Sequence, residues 1–222
     1  MIFRPKTLAA LTATFALISG AVQAQGVDAK KGAAPASVTA ISSIWGQLVR
    51  FSMPTGFAAA FENAKGNFYI REAVPKGETV KQWTQVITVT GGRGLAGAPN
   101  FSAENQAATI VGGFKKACPQ SFAIKVVGPS KLGNHDAFTA VAGCGSIGSG
   151  TDAHAETLLI VAVKGITDGY TIQWAERGPA TSSGAAIDEA KWQERLRALM
   201  PIRLCAIVPG EAAPYPSCLQ QK

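Results

Sequence analysis

The sequence predicts an α+β domain: a largely antiparallel sheet covered by about three helices, in a single layered unit. Three observations point there. Stretches of period-two apolarity are joined by short turns, which makes neighbouring strands antiparallel. Other segments carry apolar residues at helical spacing behind a capping residue. No repeat and no domain-scale linker interrupts residues 44–205, so one layered domain is expected over that range.

The elements follow in order. Trp45, Leu48, Val49 and Phe51 suggest a strand that stops at Met53-Pro54, with Trp45 facing inward. Phe57 to Phe61 is extended, and Asn63 to Asn67 reads as a turn. Phe68, Ile70 and Val74 then alternate with Tyr69 and Arg71 until Pro75. Thr79 with Gln82 three residues on matches a capping box, and Val80, Trp83 and Ile87 fall at helical spacing, so a short helix is expected there. Val86 to Thr90 has strand composition, and Gly91 to Asn100 is a glycine-rich loop. Ser102 caps a second helix whose stripe is Ala107, Ile110, Val111 and Phe114; Pro119 ends it.

Phe122, Ile124 and Val126 alternate with Lys125 in the next strand, and Gly133-Asn134 turns the chain into Ala137 to Ala142. Gly143 to Asp152 reads as a polar loop. Thr157 to Val163 is almost wholly apolar, as in a strand buried on both faces. Thr167-Asp168-Gly169 turns it into Tyr170, Ile172 and Trp174. The last helix covers about Ala186 to Met200 with Trp192, Leu196 and Leu199 inward, and residues 206–222 form a Pro-rich tail.

The N-terminus carries an address. Arg4 and Lys6 precede an apolar run from Thr7 to Ile18, followed by Val22-Gln23-Ala24, the pattern of a cleavable signal peptide over residues 1–24. The run is shorter than the roughly 20 residues a membrane helix needs. Residues 25–43, rich in Ala, Gly, Lys and Ser, read as a flexible leader. The expected place is therefore the periplasm or the medium, with no transmembrane segment in the mature chain. The net charge of +7 stays basic after loss of Arg4 and Lys6 and favours anionic surfaces. Its lysines and arginines are scattered without interleaved aromatics, which argues against nucleic acid as a partner.

Export makes disulfides the expected fate of Cys118, Cys144, Cys205 and Cys218. Four cysteines allow three pairings; Cys118 with Cys144 and Cys205 with Cys218 is the first expectation, because each pair would tie neighbouring element ends. There is no Cys-x-x-Cys, so zinc and dithiol redox chemistry are not expected.

Candidates for a ligand site are few. Arg93 beside Gly91, Gly92 and Gly94 suggests an anion nest, but the Lys-Ser/Thr of a phosphate loop is missing. His135-Asp136 follows a turn, and the two point to opposite faces of a strand. His154 and Glu156 share a face, like half of a zinc deaminase signature whose other half is absent. Gly145-Ser146-Ile147-Gly148-Ser149-Gly150 approaches the Gly-x-Ser-x-Gly of hydrolases without matching it. No catalytic set, metal or cofactor is assigned. The four tryptophans are expected to pack in the core.

The stretch Val74-Pro75-Lys76-Gly77-Glu78-Thr79-Val80-Lys81-Gln82-Trp83-Thr84-Gln85, continued by Val86-Ile87-Thr88-Val89, resembles a segment of uncharacterised exported proteobacterial proteins. The element order from about residue 44 to 200 is similar to the PsbP-like α/β/α sandwich. That resemblance implies a non-catalytic accessory or binding module and transfers no site residue. The expected function is therefore an exported, non-enzymatic accessory or binding protein of the cell envelope, its partner an unknown protein or anionic envelope component. The alternatives are an extracytoplasmic hydrolase using the Gly143–His154 loop and a secreted surface- or host-interacting protein.

Overall fold

A computed structural model of the chain describes residues 37–220. The expected signal segment and the expected leader up to residue 36 lie outside the described residues.

The larger of two sheets is built from β3 (Phe57–Lys65), β4 (Phe68–Pro75), β5 (Gln85–Gly92), β6 (Phe122–Leu132), β7 (His135–Ile147), β8 (His154–Lys164) and β9 (Gly169–Pro179). Their order across the sheet is β3-β4-β5-β9-β8-β7-β6, antiparallel throughout. The smaller sheet joins β1 (Ser37–Ile44), β2 (Gln47–Pro54) and β10 (Arg203–Ala206) in the order β1-β2-β10. Among the described residues three α-helices accompany them: α1 (Ala103–Ala117), α2 (Glu189–Leu199) and the short α3 (Pro216–Gln220).

This corrects the expected α+β sheet covered by about three helices. The molecule is mainly β, and a second sheet does much of the covering. On one face of the large sheet, Ile87, Val141, Leu159, Ile172 and Trp174 pack against Ile44, Val49 and Phe51 of the small sheet and Trp192 and Leu199 of α2. On the other face, Val86, Ala140, Leu158 and Ile160 meet Ala103 and Ala107 of α1. Each large aliphatic side chain so buried contributes about 1.5–3 kcal/mol. β8 is sealed on both sides, which its unbroken apolar run requires. The sequence pattern alone could not separate a helix from a sheet as the second layer, because both bury one apolar face.

Several elements depart from expectation for local reasons. β1 occupies residues 37–43 of the expected leader; its small polar residues pair with β2 from Ser37↔Pro54 to Ile44↔Gln47. Trp45 is not in a strand. It sits in the two-residue β1–β2 turn at φ 53°, a conformation side chains rarely adopt. The helix expected over 79–87 does not form. Gln82 N–H does bond Thr79 Oγ1, but the segment closes a tight Thr79↔Gln82 bridge, and the Glu78 carboxylate accepts from both Thr84 N–H and Thr84 hydroxyl at 2.6 and 2.7 Å. From Gln85 onward the backbone pairs with β9, so sheet bonding wins over helical spacing. Much of the Gly143–Asp152 loop is strand, with β7 running to Ile147. The tail carries α3.

Two disulfides join Cys118 to Cys144 and Cys205 to Cys218, so all four cysteines are bridged. The first ties the end of α1 to β7. The second ties β10 to α3, beside buried Leu48. Among the described residues no helix is long and apolar enough to cross a membrane.

Candidate functional site

The residues singled out by sequence fall in separate places. Arg93 lies in the loop after β5, with its guanidinium 5.5 Å from the Trp45 ring centroid. The adjoining nest is filled from within. Gly94 N–H donates to Asp168 Oδ1 at 2.7 Å, Gly46 N–H to Oδ2 at 3.2 Å, and the Tyr170 hydroxyl to Oδ2 at 3.2 Å. Burial of Asp168 works against its charge, but the bonds from Gly94 and Gly46 and the hydroxyls of Thr167 and Tyr170 outweigh it and hold the carboxyl below its ordinary range. Burial and then the neighbouring Asp168 charge push the Tyr170 hydroxyl up. An internal anion thus takes the donors that an external one would need.

His135, at the start of β7, is a tie between layers. Its Nδ1–H donates to the Lys164 carbonyl at 3.2 Å, and its Nε2 faces the Gln47 amide nitrogen at 3.5 Å. Buried Gln47 accepts Ile166 N–H through Oε1. Asp136 points away and pairs with Lys131.

His154 lies at the opposite end of the sheet, where β8 begins opposite Ile147. Its Nδ1–H donates to the Asp152 carbonyl at 2.8 Å, and Nε2 stands 3.5 Å from Glu156 Oε2. The shared face expected for His154 and Glu156 brings them together. The Glu156 carboxylate also accepts Arg177 Nε at 3.2 Å from the paired strand, and that guanidinium stacks 3.7 Å from the Trp83 ring centroid. Trp83 is therefore half-buried under a cation, whereas Trp174 and Trp192 are core. Among the described residues no three His, Cys, Asp or Glu side chains gather as a metal site would need. Ser146 sits in the β7 bulge with its N–H bonded to Ser121 Oγ, and the flanking Gly145 N–H bonds the Ser121 carbonyl.

The open chemistry lies elsewhere, along β6. Among the described residues this edge strand pairs with β7 alone. Ile124, Val126 and Val127, within four positions of one strand, are 47%, 52% and 48% exposed, an unusual density of exposed large aliphatics. An apolar groove flanks the strand on each face. On the α1 side, Phe122, Ile124, Val126 and Phe138 form the floor while Ala107 and Val111 form the wall, around a cavity of about 400 Å³. On the α2 side, Val127, Leu159, Ile187, Trp192 and Leu196 enclose about 170 Å³.

Local sequence explains both grooves. α1 starts because Ser102 Oγ accepts Asn105 N–H at 3.0 Å, and its surface toward β6 includes, beside Glu104, Val111 and Lys115, the small residues Ala107, Ala108 and Gly112, which leave space above the strand. The Cys118–Cys144 bridge fixes the far end of this helix where β6 begins, since Cys144 faces Phe122 across the ladder. α2 is capped by Asp188, whose Oδ1 accepts Lys191 N–H, and Lys125 of β6 reaches Glu189 at 2.7 Å. Period-two alternation did place Phe122, Ile124 and Val126 on one face; their exposure was not readable, because it depends on how far α1 reaches.

No protein-family model matches the chain, and no curated protein matches it. Among solved structures it is similar to the Saccharomyces cerevisiae Ran-binding protein Mog1p, at 9% identity over 76% of this chain and 96% of that one, with a TM-score of 0.44. A point mutant of Mog1 gives 8% identity over 76% and 95%, TM-score 0.45. A Bacteroides thetaiotaomicron protein gives 12% identity over 73% of this chain and 46% of that one, TM-score 0.38. Likenesses this distant carry no functional argument.

Proposed function

We propose that the chain is an exported, non-enzymatic accessory or binding protein of the bacterial cell envelope, and that it binds a polypeptide partner along the β6 edge. The observation that carries the reading is that edge: closely spaced exposed aliphatics on a strand paired on one side, among the described residues, with an apolar groove on each face. Soluble proteins avoid such edges unless something covers them. Two disulfides suit an oxidising compartment, in keeping with the signal-like N-terminus.

The test is photocrosslinking in cells. A photoreactive amino acid at Val126 is compared with one at Phe61 on the opposite edge, and adducts are identified by mass spectrometry. The reading expects one defined envelope protein at Val126 and none at Phe61. It fails if the chain is found in the cytosol with Met1 intact and its cysteines reduced. It fails equally if the purified protein hydrolyses ester substrates and Ser146→Ala abolishes that activity.

A further inference from the structure

We infer that the β6 edge takes up an extended, acid-flanked segment of another polypeptide as an added strand, its alternate side chains entering the α1-side and α2-side grooves. This rests on the binding reading above and supplies its mode and the chemistry of the partner.

Four features select this occupant. Among the described residues no strand lies beside the outward backbone groups of β6, so main-chain pairing is open. Side chains of an added strand point alternately to opposite faces, and here each face offers an apolar groove at the same edge. A rounded ligand would use one groove; a strand uses both. The α2-side space of about 170 Å³ falls below the roughly 300–1,000 Å³ of small-molecule pockets, and the α1-side space of about 400 Å³ lies near the lower end of that range. The regular stretch is short: the register shifts between Val126 and Gly128, and Pro129 carries no N–H, so pairing is confined to about Phe122–Val126.

Charge decides between another chain and a second copy. Lys115 and Lys116 close the last turn of α1, both exposed, and Lys115 borders Phe122 in the groove. Among the described residues neither has an ion-pair partner, whereas Lys125 and Lys131 pair with Glu189 and Asp136. The β6 strand of a second copy carries no carboxylate to offer Lys115 and Lys116. A segment with carboxylates at the Phe122 end meets Lys115 and Lys116 instead.

The experiment titrates the disulfide-bonded protein, without its signal segment, into a fluorescent ten-residue peptide of two aspartates followed by alternating valine and threonine. Three controls accompany it: the aspartates replaced by lysines, a proline at the centre of the peptide, and the protein variant Val126→Lys. Each control should bind at least about tenfold more weakly, the loss typical of an important interface residue. Phe61→Lys on the far edge should bind normally, and unchanged thermal midpoints show that both protein variants are folded. Equal binding of the proline peptide overturns strand addition while leaving a groove-binding protein intact. Equal binding of the lysine peptide overturns the acidic partner. No binding by any peptide overturns the inference altogether, and the crosslink at Val126 then judges the binding reading separately. A concentration-dependent dimer abolished by Val126→Lys would assign the edge to a second copy and overturn the proposal.

Discussion

The two edges of the seven-stranded sheet hold equivalent topological positions and differ in chemistry. β3 presents alanines at 58–60, Glu62 and a register shift between Ala59 and Phe61. Its exposed carboxylate is already used: Glu62 accepts the Tyr69 hydroxyl at 2.7 Å and lies 4.0 Å from Arg71. β6 keeps large aliphatics, and helices stand on both of its sides. Both edges carry a bulge, so a bulge alone does not separate a protected edge from a usable one. β3 exposes one large apolar side chain, Phe61, where β6 exposes three, and the difference is that density at the rim together with the helix on each side.

The largest effect that sharpens this contrast comes from Trp192, which lines the α2-side groove and is buried. Trp192→Ala should cost about 3–5 kcal/mol by chemical denaturation, against under about 0.5 kcal/mol for Phe61→Ala, which loses only partly exposed surface. Next is the bridge that anchors α1. Replacing Cys118 and Cys144 together by serine frees a 26-residue separation and should cost about 3 kcal/mol. Hydrogen exchange should then accelerate in the last turn of α1 and at the start of β6, and leave β3 unchanged.

Asp168 comes third and serves as a control remote from β6. Asp168→Asn should cost about 1–3 kcal/mol, since it removes the charge that four donors serve. Its folded carboxyl titrates below the ordinary value of 3.8, so its stabilisation is fully present above that pH. It is lost as the pH falls through the lower folded value. Urea midpoints measured from pH 5 down to 2 should therefore fall less steeply in Asp168→Asn than in the parent chain. The smallest effect on stability belongs to Val126→Lys, within about 0.5 kcal/mol, because the side chain is half exposed.

Strand positions were legible where alternation was backed by turns. The 157–163 run, the Gly133-Asn134 turn and the Thr167–Gly169 turn all stand close to where composition put them. β1 was not legible, because Ser37, Ser42 and Ser43 look like linker until β2 pairs with them. Trp83 looked helical until β9 captured Gln85. The pairing of His154 with Glu156 followed from period two, but the arrival of Arg177 and Trp83 needed the fold. Asp168 gave no signal beyond a turn residue, yet it occupies the nest that made Arg93 a candidate. The grooves beside β6 were the least legible. They are space left by Ala107, Ala108 and Gly112, and a sequence shows residues rather than the gaps between them.

Residue-resolved hydrogen exchange, with and without the acidic alternating peptide, addresses β6 most directly. Docking by strand addition predicts slowed exchange at outward amides between Phe122 and Val126, with β3 unaltered. Unchanged exchange along β6, or equal slowing at both edges, would contradict it.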